Sequence, residues 1–216
     1  MSTNERFVIT INRELGSGGR TVGRLVAQRL GVPFYDKALI QALTQKYNLS
    51  VAEIERMKGR NHSWWANFKR AMNIGARQGA SQYGYRPSDM PDMLTTDEMF
   101  QTEQEVLKGI AADESCVVAG RSGFFVFRDH PRHLSILIQA SMDYRVARVA
   151  RKQNLTPEEA RKTIDRVDEM RENYVRKYTG TSRYDTRNYD LVLSADGKTE
   201  EELADVIMMY IEKKLK

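Results

Sequence analysis

The chain has 216 residues, of which 41% are hydrophobic and 29% charged, with a formal net charge of +5, so it can bury the core of one globular domain and an inserted subdomain. No apolar run approaches the roughly 18 residues that cross a bilayer, and MSTNERF lacks the apolar core of a secretory leader. A single Cys116 excludes an internal disulfide. These features argue against membrane-spanning and disulfide-rich secreted proteins, and we expect a cytoplasmic protein.

Strands and helices alternate at the N-terminus. Residues 7–11, FVITI, predict a short buried strand, and residues 20–30 carry apolar side chains at helical spacing. A second strand, VPFY at 32–35, is followed by Asp36 and another helix. This order is typical of a parallel sheet with helices on its faces.

The alternation stops in the next part of the chain. Residues 59–95 are rich in Gly, Asn, Gln, Met and aromatic residues and show no steady period, which is typical of a functional or disordered insert. A predicted helix over about 97–112 then carries Glu103 on its apolar stripe. Because a buried acid needs a partner, we expect Glu103 to pair with Arg121.

The sheet pattern returns in the C-terminal half. Strands are predicted at 116–120, 134–140 and 189–195, and each precedes a helix or an irregular stretch and a helix. The five strands together predict an α/β fold with a parallel sheet. An open parallel sheet binds ligands beyond the carboxyl ends of its strands, so one rim should gather the loops at 12–20, 36, 120–123, 140–145 and 194–197.

The excess positive charge lies in one segment. Residues 145–187 hold twelve Lys or Arg and seven Asp or Glu, whereas the rest of the chain holds 22 of each sign. A localised cationic segment suits an anionic partner such as a polyphosphate, a nucleic acid or an anionic surface. The alternative is a solvated helix face with paired charges.

A glycine-rich loop separates the first strand from the first helix. It contains Gly16, Ser17, Gly18 and Gly19, where successive backbone N–H groups can surround an anion and the helix N-terminus adds about half a positive charge. Glycine permits the close approach of phosphate oxygens. The loop therefore predicts anion binding, and a plain chain-reversing turn is the alternative.

The loop departs from the phosphate-loop pattern G-x-x-x-x-G-K-[ST]. Gly19 stands at the lysine position, and Arg13 stands at the first glycine position. Arg20 or Arg13 is the candidate for the missing cation, because a guanidinium can bridge phosphate oxygens. Thr21 or Ser17 is the candidate hydroxyl for a magnesium ion.

A dinucleotide-binding loop is a rival interpretation. Gly16 and Gly18, with Asp36 about 20 residues later, imitate the G-x-G pattern and the acid that contacts a ribose. The third glycine of that pattern would fall at Thr21. The nicotinamide interpretation is therefore the weaker one.

Three segments carry a family resemblance: VVAGRSGFFVFRDHPRHLSILIQASMDYRVARVARK, ITINRELGSGGRTVG and VPFYDKALI. Together they resemble the cytidylate kinase-like branch of the nucleoside monophosphate kinases. Members of that branch show a phosphate loop, a second strand ending in Asp, a G-R-D loop, a strand ending near Asp-Ala-Ser and an arginine-repeat helix. The resemblance covers residues 7–44 and 116–195. Three positions depart from it, namely Gly19 for the lysine, Ser122 for the Asp of G-R-D, and Gln139 for the acid before Ala-Ser.

The resemblance implies a three-layer P-loop NTPase-type core with a five-stranded parallel sheet. Residues 1–44 and 116–216 would form this kinase core, with a short arginine-rich lid at about 150–185. Residues 45–115 would form an inserted helical subdomain that binds the acceptor monophosphate.

The resemblance and the chemistry of phosphoryl transfer also imply roles for individual arginines. Arg145, Arg148 and Arg151 recur every three residues, and the resemblance places them at the base of the lid near ATP and its phosphates. Arg121 follows the third strand and could hold the acceptor phosphate by two parallel hydrogen bonds. With Arg20, residues Arg121 and Arg148 are the candidate catalytic residues. The alternative for each is a surface group or a structural ion pair.

Two acidic residues complete the predicted acceptor site. Asp168 and Arg171 are three apart on a predicted helix and therefore neighbours. The family carries an Asp and an Arg at this spacing that contact the cytosine ring and its monophosphate, and an intrahelical ion pair is the alternative. Asp36 is a candidate to orient the acceptor sugar or a metal-bound water while it caps a helix.

The expected activity is phosphoryl transfer from ATP, with Mg²⁺, to a nucleoside monophosphate, with CMP or dCMP as the expected acceptor. Small-molecule nucleotides are then the partners, without a membrane, and the oligomeric state is not indicated. The alternatives are a small-molecule kinase with another acceptor and a non-catalytic nucleotide sensor or nucleic-acid-binding protein. Trp64 and Trp65, beside Lys69 and Arg70, could stack bases for the last of these, or form a subdomain core.

Overall fold

The computed structural model describes residues 5–58, 64–71 and 97–215. Within these residues five strands form one parallel sheet in the order β2-β3-β1-β4-β5. The strands are β1 (Val8–Arg13), β2 (Phe34–Asp36), β3 (Cys116–Ala119), β4 (His133–Gln139) and β5 (Leu191–Ser194). The predicted parallel sheet of five strands is confirmed. Most of the irregular insert predicted at 59–95 lies outside the described residues.

The second strand begins later than predicted. It starts at Phe34 and runs into Asp36, whereas the sequence pattern predicts a strand over 32–35. Pro33 precedes the strand because it has no N–H to give to the ladder, although its carbonyl accepts from the Val117 N–H at 3.0 Å. Asp36 is therefore both the last residue of this strand and the N-cap of the helix that follows.

Helices connect the strands and cover both faces of the sheet. They are α1 (Gly19–Leu30), α2 (Lys37–Lys46), α3 (Val51–Lys58), α4 (Trp64–Ala71), α5 (Asp97–Asp113), α6 (Gly123–Val126), α7 (Met142–Gln153), α8 (Pro157–Thr179) and α9 (Glu200–Lys214). Thr156 and Thr199 cap α8 and α9, each accepting from the N–H of a glutamate three residues later. None of the described helices combines the length and the apolarity needed to cross a membrane.

The alternation of side chains along β1 divides the core into two layers. Ile9 and Ile11 face α1 and α9, and Val8 faces the opposite layer, which contains α2, α4 and α5. Trp64 and Trp65 lie buried in that second layer, at 5% and 1% exposure. In the described part of the chain the tryptophan pair therefore forms core and offers no open surface for stacking a base.

The ring of His133 joins three elements. Its Nε2 lies 2.8 Å from the Thr10 hydroxyl on β1, and the Phe127 backbone also bonds the ring. Burial lowers the pKa of His133 from 6.5 to about 4. Between these two values the unfolded chain binds a proton that the folded protein does not, so stability falls as the pH drops through this window.

We expect this one group to remove about 3 kcal/mol of unfolding free energy between pH 7 and pH 4. Urea unfolding of the wild type and of His133→Gln across this range measures the effect. The difference between the two proteins should shrink as the pH falls, because the neutral glutamine takes up no proton. Two curves that run parallel from pH 7 to pH 4 would contradict the assignment.

Candidate active site

The glycine-rich loop lies at the carboxyl end of β1, as predicted. Gly16 and Gly18 have φ angles of +90° and +84°, a region that side chains other than glycine rarely adopt. An added Cβ at Gly16 would also lie 2.9 Å from the backbone oxygen of Arg145. The N–H groups of Gly16, Gly18, Gly19 and Arg20 donate to no backbone acceptor among the described residues. The loop thus presents unpaired donors at a helix N-terminus, which is the arrangement that binds phosphate.

The two predicted metal-binding hydroxyls differ in position. The Ser17 hydroxyl donates to the Glu14 carbonyl at 3.1 Å, and the residue is buried. Thr21 is exposed on the first turn of α1. Thr21 is therefore the hydroxyl of the pair that lies open to an incoming ion.

Arg20 and Asp36 are brought together at the rim. Two guanidinium nitrogens of Arg20 lie 2.7 and 2.6 Å from Asp36 Oδ2. The other carboxylate oxygen accepts from the Leu39 N–H at 3.0 Å, so Asp36 caps α2 as predicted. The fork of Arg20 and the start of α2 hold the carboxylate in one orientation.

Arg121 pairs with Glu103, the partner expected from the sequence. Both side chains are buried, and the Arg121 guanidinium also stacks on the Tyr174 ring at 4.7 Å. Burial lowers the pKa of Arg121. The ion pair ties the loop after β3 to α5, and the ring of Tyr174 adds a contact from α8.

Asp168 is the centre of a buried ion cluster. Its carboxylate lies 2.5 Å from Arg145, 3.2 Å from Arg171 and 3.3 Å from Arg183. It also accepts from the Leu15 N–H at 3.1 Å, so α8 is bonded directly to the glycine-rich loop. The predicted contact between Asp168 and Arg171 is confirmed as an intrahelical pair.

Arg183 belongs to this cluster although no sequence pattern singles it out. It is fully buried in the segment after α8, and its guanidinium donates to the backbone carbonyl of Arg13. A lone arginine in TSRYD carries no periodic or motif signal. Its position becomes visible only when α8 folds back over the end of β1.

The three arginines of α7 lie at different depths. Arg145 is buried against Asp168 and Glu14, whereas Arg151 is exposed. Arg148 pairs with Glu200, and its Nη2 would lie 3.4 Å from a Cβ placed on Gly18. The guanidinium of Arg148 therefore lies over the glycine-rich loop, whereas Arg145 meets the loop with its backbone and Cβ.

The side chain of Arg13 crosses the rim between two glycines. An added Cβ on Gly19 would lie 2.6 Å from the Arg13 Cβ, and one on Gly120 would collide with the Arg13 guanidinium. Burial, together with repulsion from the neighbouring Arg171 and Arg183, lowers the pKa of Arg13 to about 9. Arg13 therefore remains a cation at neutral pH.

Comparisons with known proteins agree with this architecture. A curated cytidylate kinase from Sulfolobus acidocaldarius is 22% identical over 208 residues, which cover 95% of this chain and 94% of the relative. A crystal structure of an uncharacterized protein from Eubacterium ventriosum has a TM-score of 0.71 at 22% identity, covering 97% of this chain and 99% of that one.

The wider fold is shared with other kinases. Shikimate kinase from Bacteroides thetaiotaomicron aligns with a TM-score of 0.51 at 13% identity, over 95% of this chain and 98% of that chain. The fold is thus the α/β fold of the P-loop kinases. The model of the cytidylate kinase-like family matches residues 8–196. The chain belongs to the cytidylate kinase-like family.

Proposed function

We propose that the protein transfers the terminal phosphoryl group of ATP to a nucleoside monophosphate, with CMP or dCMP as the preferred acceptor. Membership of the family supports a phosphotransferase in general. The observation that carries the proposal is the set of unpaired N–H groups of Gly16, Gly18, Gly19 and Arg20, with the guanidinium of Arg148 beside Gly18. Such a loop can bind a polyphosphate chain by backbone donors and a cation together.

The donor side of the site would act mainly by neutralising the negative charge of the ATP phosphates. The loop N–H groups would bind the phosphates of ATP, and Arg148 would exchange its bond to Glu200 for one to a phosphate oxygen. Magnesium bound to ATP supplies additional positive charge on the phosphate oxygens, and Thr21 would hold it. Arg145, buried against Asp168, would support the loop from below, and the exposed Arg151 would reach ATP only with closure of the lid.

The acceptor side would use residues at the ends of β2 and β3 and on α8. Asp36, oriented by Arg20, would accept from a sugar hydroxyl, and Arg171 with Asp168 would contact the base and its phosphate. An acceptor phosphate oxygen would form a bond to the terminal phosphorus while the bond to the bridging oxygen of ADP breaks. The acceptor oxygen is already ionised, so this step needs no general base.

One observation favours a second candidate, a small-molecule kinase with another acceptor. Arg121 is the residue predicted to hold the acceptor phosphate, yet in this structure it is buried against Glu103 and Tyr174. An acceptor without a phosphate would have no need of Arg121. In that case the ion pair would serve only the packing of α5 against the loop after β3.

A coupled assay for ADP with a panel of monophosphates tests the proposal. Turnover is expected with CMP and dCMP, and slower turnover with UMP, AMP and GMP. ADP production with none of the five, while ATP still binds, would exclude monophosphate kinase activity and leave another acceptor or a nucleotide sensor.

The variant Arg20→Ala should lower kcat by about 10²-fold or more while the affinity for ATP changes little. The reason is that Arg20 orients Asp36 and adds charge near the transferred group. The matched control is Arg29→Ala, which removes another arginine of α1 that pairs with carboxylates but lies at the far end of the helix. Equal kcat values for the two variants would remove Arg20 from the catalytic residues.

A further inference from the structure

We propose that Arg13 is the cation that replaces the absent loop lysine, and that its ligand is the polyphosphate tail of the nucleotide. The proposal rests on the proposed function and makes it more specific, since Arg20 and Arg13 are both candidates from the sequence. It also gives a physical reason for glycine at two positions of the rim.

The path of the Arg13 side chain carries the first part of the argument. Arg13 is the last residue of β1, and its Cβ and Cγ lie 2.6 and 3.2 Å from the place where a Cβ on Gly19 would stand. Its guanidinium then fills the space where a Cβ on Gly120 would stand. The side chain therefore runs from the start of α1 to the residue after β3, across the carboxyl ends of two neighbouring strands.

This path excludes a lysine at position 19. Any side chain there would begin 2.6 Å from the Arg13 Cβ, well inside the distance at which two carbon atoms can pack. A loop lysine and Arg13 thus compete for one space. The chain keeps one cation at this point of the rim, and it comes from the end of β1 instead of the start of α1.

The charges around Arg13 carry the second part. Arg20, Arg121 and Arg148 each pair with a carboxylate. Arg13 forms neither a side-chain hydrogen bond nor an ion pair within residues 5–58, 64–71 and 97–215. Three further guanidinium groups repel it, those of Arg20, Arg171 and Arg183, and Asp36, which attracts it, is already bonded to Arg20.

A cation that pairs with no carboxylate in the described part of the chain, on a side chain that begins beside Gly19, indicates an anionic ligand at the rim. A guanidinium can give two parallel hydrogen bonds to phosphate oxygens, which a lysine ammonium cannot do in one plane. In the empty protein Asp36 attracts this charge but is already bonded to Arg20, so Arg13 should lower stability. We therefore expect Arg13 to lower the stability of the free protein, and we expect ligand binding to offset this loss.

Inorganic tripolyphosphate is the probe, because it carries the charges of the nucleotide tail without base or sugar. Calorimetric titration and thermal unfolding are measured for the wild type, for Arg13→Met and for the control Arg29→Met. Arg29 lies in the last turn of α1, at the opposite end of the helix from the loop, where it pairs with Glu201 and Asp205. Arg13→Met should weaken tripolyphosphate binding by about 10- to 100-fold and raise the Tm of the free protein by about 2–4 °C.

The control should leave the affinity for tripolyphosphate unchanged. Where Arg13→Met does not fold, Arg13→Gln, which is neutral but polar, takes its place with the same expected loss of binding. Unchanged affinity for tripolyphosphate in a folded Arg13 variant would overturn the proposal. A lower Tm in that same variant would mark Arg13 as purely structural.

The outcome separates this inference from the proposed function. Tripolyphosphate binding that depends on Arg13, in a protein that phosphorylates no monophosphate, supports the inference and refutes the kinase activity. Turnover of CMP by the wild type, with unchanged tripolyphosphate binding in Arg13→Met, supports the kinase activity and refutes the inference about Arg13.

Discussion

Replacement of Asp168 by asparagine is expected to lower the free energy of unfolding by about 3–5 kcal/mol. The carboxylate lies within 3.3 Å of Arg145, Arg171 and Arg183, and all four side chains are buried or partly buried. Asparagine keeps the shape but removes the negative charge that these three arginines share. The variant would thus leave three neighbouring cations that repel one another, two of them, Arg145 and Arg183, buried.

Urea unfolding monitored by circular dichroism measures this loss. The matched control is Asp165→Asn, one turn earlier on α8, where the side chain is exposed and the cost should stay within about 0.5 kcal/mol. Tripolyphosphate should stabilise Asp168→Asn, because an added anion compensates the positive charge of the three arginines. Equal unfolding free energies for the two variants would show that Asp168 does not hold the cluster together.

The fold follows from the sequence because its signals are local and strong. Each strand is a short apolar run, and caps at Thr156 and Thr199 set the first residues of α8 and α9. The start of β2 was harder to predict, because VPFY is apolar throughout and hydrophobicity alone does not show that Pro33 lies outside the ladder. The order in which the strands pair depends on the crossovers between them, so the local patterns of the strands do not predict it.

The sequence predicts where the candidate site lies better than it predicts which side chains contact one another there. The glycine-rich loop, Asp36 and the pair of Asp168 with Arg171 could all be found from spacing and order. The burial of each arginine could not be found in this way. A repeat every three residues fixes the directions of the side chains around a helix but does not show what packs against them. Arg145 is thus buried against Asp168, whereas Arg151 on the same helix is exposed.

The charge-rich segment 145–187 contains both features that its composition allows, a solvated helix face with paired charges and a cationic group that faces the site. On its outer surface Lys162 pairs with Glu158, and Arg176 pairs with Glu172, as on an ordinary solvated helix. On its inner side Arg171 and Arg183 approach the glycine-rich loop through Asp168. This inner group, together with Arg148 over the loop, is suited to an anion at the rim.

Replacement of Glu103 by glutamine should be the second severe change. Glu103 and Arg121 are 2% and 8% exposed, so the variant would leave a buried guanidinium without a counter-ion. We expect a loss of about 3–5 kcal/mol in the free energy of unfolding, measured in urea. Glu98→Gln, on the exposed face of the same helix, is the matched control and should change stability little.

The double variant Glu103→Gln/Arg121→Gln separates the structural role of the pair from its proposed role in acceptor binding. Removing both charges should recover most of the lost stability, since two neutral amides leave no buried ion without a partner. If Arg121 holds the acceptor phosphate, the double variant should show a raised KM for CMP despite its restored stability, because the phosphate loses its charged partner. Recovered stability with an unchanged KM for CMP would restrict Arg121 to packing and would favour the second candidate, a kinase whose acceptor carries no phosphate.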